Sequence, residues 1–225
     1  MDDKGRAENR LPKIYDIPLS EIDNFPDHPF KVKLDEDMQQ LVQSIKDRGI
    51  ITPITLRKKD DGRYEIVSGH RRKKACEIAG LETVKAEIKE LDKDEAIILM
   101  VESNLQRSTI LPSEKAFSYK MRLEAMKRQG QRTDLTCGSK GHKLKNITSR
   151  DFIAEKAEDS ARQISTYIRL TYLTSELLNL VDEGRIALRP AVEISYLTQE
   201  QQDNIYQIKH SGVHKKMATT KPKMT

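Results

Sequence analysis

The segment Tyr64-Glu65-Ile66-Val67-Ser68-Gly69-His70-Arg71-Arg72 constrains the fold more than any other part of the chain. A run of strand character leads into a glycine. Three potentially cationic side chains follow at once, in the first turn of a helix that continues through Lys73 to Ala79. A helix start presents unpaired N–H groups and the positive end of its dipole, so cations there cost stability unless an anion fills the turn. Ser68, Gly69, His70, Arg71 and Arg72 are therefore a candidate phosphate-binding turn, with the two arginines supplying planar donor forks. A basic, solvated first turn is the competing explanation, and these residues alone favour neither.

Around this turn the periodicity predicts a mixed module. Ile14–Ile22 reads as a strand and the stretch around Pro26 and Pro29 as a loop. A helix capped by Asp35 carries Leu34, Met38, Leu41, Val42 and Ile45 at helical spacing and stops at Gly49. Ile51–Arg57 and Tyr64–Val67 are two strands joined through Asp61-Gly62 as a hairpin, and Thr83–Leu91 is a further strand. Asp92 with Glu95 forms a capping box for a helix reaching about Arg107. From Pro112 on, everything reads as helix: Pro112 to about Gln129, Ser149–Ala157, Ser160–Thr171, Thr174–Glu183, Pro190–Leu197 and Gln199–Ile208. The expected class is α+β: a polar arm (1–13), a small mixed module (14–112), a helical module (113–210) and a basic disordered tail (211–225).

Charge follows the same division. Residues 1–112 hold 20 Lys/Arg against 22 Asp/Glu, while residues 113–225 hold 20 against 13. Lys115–Arg150 alone has 10 basic residues and two acids, a surplus suited to a polyanion. Ser149–Ala157 and Ser160–Thr171, joined by Glu158-Asp159, have the length and spacing of a helix-turn-helix, with Ala154, Ile164 and Ile168 placed to pack them. Opposite that apolar stripe lie Ser160, Arg162, Gln163, Thr166 and Arg169, types able to meet base edges in a major groove. No apolar run reaches the roughly 20 residues of a spanning helix, and the N-terminus lacks a signal-peptide pattern, so a cytoplasmic location is expected. Two cysteines, Cys76 and Cys137, give no disulfide framework, and Cys137 with His142 falls short of a four-ligand metal site.

The order of these motifs resembles the ParB family of partition proteins over about Ile17 to Ile205. Thr52-Pro53-Ile54 and the residues to Arg57 resemble the segment that approaches the cytosine of CTP. Gly69-His70-Arg71-Arg72 resembles the Gly-Glu-Arg-Arg phosphate loop, and Asn104-Leu105-Gln106-Arg107 the end of Glu-Asn-Leu-Gln-Arg. The resemblance implies CTP and Mg²⁺ as ligands, with Asn104 toward the metal and Arg107 toward a phosphate. Asn104 and Arg107, three apart, share a helix face. It also implies a specific partition site in double-stranded DNA, a homodimer that closes as a clamp, a nucleoid- or plasmid-associated location, and a ParA-type ATPase partner for the arm. Four departures stand out. Ser103 replaces the glutamate tied to hydrolysis, so binding is expected ahead of turnover, with slow CTP hydrolysis left open. His70 replaces the glutamate of the phosphate loop, a neutral or cationic donor in its place. Glu158 stands where glycine is frequent, and no C-terminal dimerisation domain is evident. Two other functions fit parts of the pattern: a helix-turn-helix transcriptional regulator without a nucleotide switch, and an enzyme on the related sulfiredoxin or serine-kinase version of the fold, for which His70 and Cys76 are poorly placed.

Overall fold

The computed structural model describes residues 12–107, 109–136 and 159–210. The expected first strand is two strands, β1 (Ile14–Pro18) and β2 (Ile22–Asp23), separated by a 3-10 turn at Leu19–Glu21. With β3 (Ile54–Lys58), β4 (Tyr64–Ser68) and β5 (Thr83–Lys89) they form one five-stranded sheet in the order β1-β5-β3-β4-β2. The pairs β1/β5 and β3/β4 are antiparallel, and β5/β3 and β4/β2 parallel. β1 and β2 thus lie on opposite edges although only three residues separate them. Flat, those edges would be about 19 Å apart, whereas four residue steps span at most about 14 Å. The sheet therefore curls strongly. The strand breaks after Pro18, which lacks the N–H needed to carry the ladder on.

The hairpin is present, with Gly62 at φ 84° between β3 and β4. β4 is buried on both faces because its side chains alternate. Ile66 faces Met38, Val42 and Ile45 of α1 (Glu36–Arg48) and Ala75 and Cys76 of α2 (His70–Ala79). Val67 faces Ala96, Ile97, Met100 and Val101 of α3 (Lys93–Leu105). Buried Glu65 is neutralised across the strands by Arg57, Nε to Oε2 2.6 Å.

α4 (Pro112–Thr136) runs seven residues past its predicted end, straight through Gly130. It joins two packing groups: Ala125 sits with the α3 layer, and Ala116 sits with Leu177, Val181 and Ala191 of the helices that follow. These are α5 (Ala161–Arg169), a 3-10 turn at Leu170–Tyr172, α6 (Ser175–Asp182), α7 (Leu188–Ile194) and α8 (Gln199–His210). α7 begins two residues before Pro190, because a first-turn residue has no intrahelical use for its N–H. No helix among the described residues is long and apolar enough to cross a membrane. The predicted helix Ser149–Ala157, Glu158, Cys137, His142, most of the arm and the tail all lie outside the described residues.

Candidate functional site

The glycine turn is built by close packing. Gly69 caps α2 in the left-handed conformation, φ 101°, and a Cβ there would lie 2.7 Å from Ile54 Cγ2. The pairing of Thr55 with Ser68 in the β3/β4 register sets Thr52–Ile54 beside the turn. Arg72 fastens that neighbour down: its Nη1 donates to the carbonyls of both Thr52 and Pro53 at 2.6 Å. It also walls a hollow of about 140 Å³ with Thr52, Ile50 and Ile51.

Arg71, one residue earlier, projects elsewhere, as a 100° step around a helix demands. It lines an open cleft of about 410 Å³ together with Arg107, Lys31, Lys33, Asp35, Asp37 and Glu114. Arg71 Nη2 is 3.4 Å from Oδ1 of Asp35, an oxygen that also caps α1 by accepting from the Met38 N–H at 3.0 Å. Glu114 accepts from the N–H groups of Lys31 (2.9 Å) and Leu111 (3.1 Å). Arg107 lies 5.4 Å over the Phe30 ring. Burial pulls the Arg107 pKa down, Glu114 opposes this, and the like charge of Arg71 adds to it. Two guanidinium groups thus face one cleft with their mutual repulsion only partly relieved, which is the electrostatic condition for holding an anion.

Sequence reasoning grouped His70, Arg71 and Arg72, and the structure separates them. The His70 ring lies outside this cleft, stacked on His28 with centroids 3.7 Å apart, in a second cavity of about 390 Å³. Burial, then the neighbouring positive charges, push its pKa down to about 3, and burial also lowers that of His28. His70 is a neutral packing group in this position, the uncharged one of the two forms expected of it. A consequence follows for pH. Below pH 6.5 the unfolded chain takes up protons that these folded imidazoles refuse, so their contribution is complete above 6.5 and is lost as pH falls toward 3. The urea midpoint should drop between pH 7.5 and 5, and His70→Asn should flatten that drop. An identical slope in the variant would refute it.

On α3, Asn104 is buried, its amide nitrogen donates to the Met100 carbonyl at 2.8 Å, and it is not among the residues that line the cleft of Arg71 and Arg107. Ser103 Oγ donates to the same carbonyl at 2.9 Å. Glu102 accepts from buried Arg122 at 2.6 Å, so it does not stand in for the missing carboxylate at 103. Cys76 is buried, and burial raises its thiol pKa, which makes it unreactive.

Of the five residues proposed to meet DNA, four have structural work. Ser160 and Gln163 form a reciprocal capping box at the start of α5. The sequence signal was there, a serine with Gln three residues on. Thr166 Oγ1 donates to the Arg162 carbonyl at 2.9 Å. Arg169 bonds Ser195 through Nε (2.9 Å) and Nη2 (2.8 Å), and stacks on Tyr172 and Tyr196 at 4.5 and 3.9 Å. Arg162 is exposed and its side chain takes part in none of these bonds. Ile164 is buried against Tyr119 and Leu123 of α4, with Ile168 partly buried beside it.

A curled mixed sheet with two arginines and two lysines around one cleft, followed by a helical bundle, defines an α+β protein with a candidate anion site. The ParB N-terminal domain family model matches residues 3–105. The chain is 30% identical over 210 residues to the chromosome-partitioning protein Spo0J of Thermus thermophilus, covering 91% of this chain and 69% of that protein. It is 34% identical over 130 residues to the chromosome-partitioning protein ParB of Caulobacter vibrioides, covering 56% of this chain and 43% of that one. The solved pNOB8-like ParB N-domain aligns at TM-score 0.52 and 15% identity, over 88% of this chain and 85% of its own, a likeness of fold. A structure of C-terminally truncated ParB from Caulobacter crescentus, complexed with CTP-γ-S, aligns at TM-score 0.40 and 25% identity, over 86% of this chain and 98% of that one. The chain belongs to the ParB family.

Proposed function

We propose that the protein binds CTP at the glycine turn, reads a specific DNA site with α5, and acts as a nucleotide-dependent clamp in DNA segregation. The observation that carries the nucleotide half is the convergence on one cleft of Arg71, two residues after Gly69 in the chain, and Arg107. In this reading the phosphates occupy that cleft and Mg²⁺ takes the Asn104 oxygen, an oxygen ligand of the kind it prefers. The base lies toward Thr52–Ile54. Each carbonyl there keeps a second lone pair beside its bond from Arg72. A cytosine amine can donate to such an acceptor, whereas the uracil oxygen at the same place cannot. With Ser103 in place of a carboxylate, we assign binding and no rapid hydrolysis. Calorimetric titration of CTP, UTP, ATP and GTP in Mg²⁺, repeated with specific and random duplexes, tests the proposal. A CTP-selective response that one duplex strengthens is expected, and indifference to all four nucleotides would remove the nucleotide half.

For the DNA half, residues 14–112 form the nucleotide module and 113–210 the DNA module, with α4 shared between their cores. Arg162→Ala should weaken specific over random DNA by about 1–3 kcal/mol at unchanged melting temperature. Arg169→Ala, which removes a brace between α5 and α7, should instead lower stability by about 1–2 kcal/mol. Equal thermal behaviour of the two variants would reject this division of labour. Homodimerisation, a ParA-type ATPase meeting the arm, and nucleoid association complete the proposal; the relatives' names as chromosome-partitioning proteins support it.

A further inference from the structure

The stretch Phe30–Lys33 alternates like a strand. Phe30 and Val32 face the cavity that holds His28 and His70, while Lys31 and Lys33 face the cleft of Arg71 and Arg107. We infer that Lys31 and Lys33 are phosphate-binding residues that distinguish a nucleoside triphosphate from a monophosphate, an inference resting on the nucleotide reading of this cleft.

The backbone of this strap is fixed from several sides. His28 stacks on His70 and Arg107 covers Phe30. The Lys31 N–H is held by Glu114, and Lys73 Nζ donates to Asn24 Oδ1 at 2.8 Å. Both lysine side chains are nevertheless exposed, so a rigid support presents two mobile ammonium groups to the cleft. Lys31 lies 3.8 Å from Asp182 with 58% of its side chain exposed, and a pair that open and long binds too weakly to hold it from a phosphate. Of the three carboxylates that line the cleft, Asp35 is occupied by a helix cap and Arg71, and Glu114 by two backbone N–H groups, which leaves Asp37 as the acidic charge set against the four cations. Two arginine forks suffice for the oxygens of a single phosphate. A triphosphate adds two phosphoryl groups, and compact, adjustable ammonium charges on a neighbouring strap suit that longer array.

The test is calorimetry of CTP, CDP and CMP with Mg²⁺ on the full chain carrying Lys31→Ala and Lys33→Ala together. At about fivefold per exposed charge, CTP affinity should fall roughly twentyfold. CMP affinity should change less than about twofold, so the CTP-to-CMP ratio collapses. Lys31→Arg with Lys33→Arg should restore most of the ratio. Unchanged CTP affinity, or equal loss for CTP and CMP, overturns the inference. If Arg71→Ala abolishes CTP binding while the double lysine variant matches wild type, the inference alone fails. If wild-type protein binds none of the three nucleotides, the reading of the cleft and the inference fail together.

Discussion

Arg71→Ala is expected to lower CTP affinity about a hundredfold, close to 2.7 kcal/mol, while leaving the melting temperature within about 2 °C of wild type. Charge-assisted hydrogen bonds contribute about 1.5–3 kcal/mol each when their partner is desolvated, and Arg71 stands at the start of α2, where helix N–H groups add to the same field. Its described side-chain tie is the 3.4 Å contact with Asp35, a long one, and Asp35 keeps its capping role without it. Removing Arg71 also relieves its repulsion of Arg107. Affinity and stability should therefore separate cleanly. Arg71→Lys should recover only part of the affinity, because an ammonium lacks the two-pronged fork. Undiminished CTP binding by Arg71→Ala would show that the cleft is not the nucleotide site.

Gly69→Ala should cost about 2–5 kcal/mol of stability and lose CTP binding with it. Two penalties add: about 1–2 kcal/mol for a side chain in the left-handed region and about 1–3 kcal/mol for forcing an atom into a filled core. The second arises because the new Cβ would meet Ile54 Cγ2 at 2.7 Å and Ile54 Cβ at 3.1 Å. Ile54 is fully buried in β3 and has nowhere to go. Gly80 provides the control. It too is left-handed, φ 77° and ψ 25°, but a Cβ there meets nothing within 4 Å, so Gly80→Ala should show the conformational penalty alone. Urea denaturation of the two variants measures the difference. Equal losses would mean that the contact with Ile54 relaxes at no cost.

Much of the fold was legible because its signals are local. Asp35, Gly49, Asp61-Gly62 and the Asp92/Glu95 box each act within a few residues, and each marks an element end in the structure. The split of the first strand was not legible in the alternation of Ile14–Ile22, since it depends on which edges of the curled sheet receive β1 and β2. For the DNA-facing set, the serine and glutamine of α5 had a readable capping pattern, whereas the clamp of Arg169 on Ser195, Tyr172 and Tyr196 joins residues up to 27 positions apart and left no trace in local spacing.

The glycine turn and the surplus of cations around it were written in the sequence, because a strand, a flexible residue and a helix start need only their own neighbours to declare themselves. Which cations share a cleft was decided by tertiary structure. Arg71 and Arg72 are adjacent in the chain and yet serve different tasks, since one helical step turns the first toward Arg107 and the second toward the carbonyls of Thr52 and Pro53. Lys31 and Lys33 reach the same cleft from some 40 residues away because the pairing of His28 with His70 holds their strap beside it. Electrostatic partnership depends on distance in space, and only packing sets that distance.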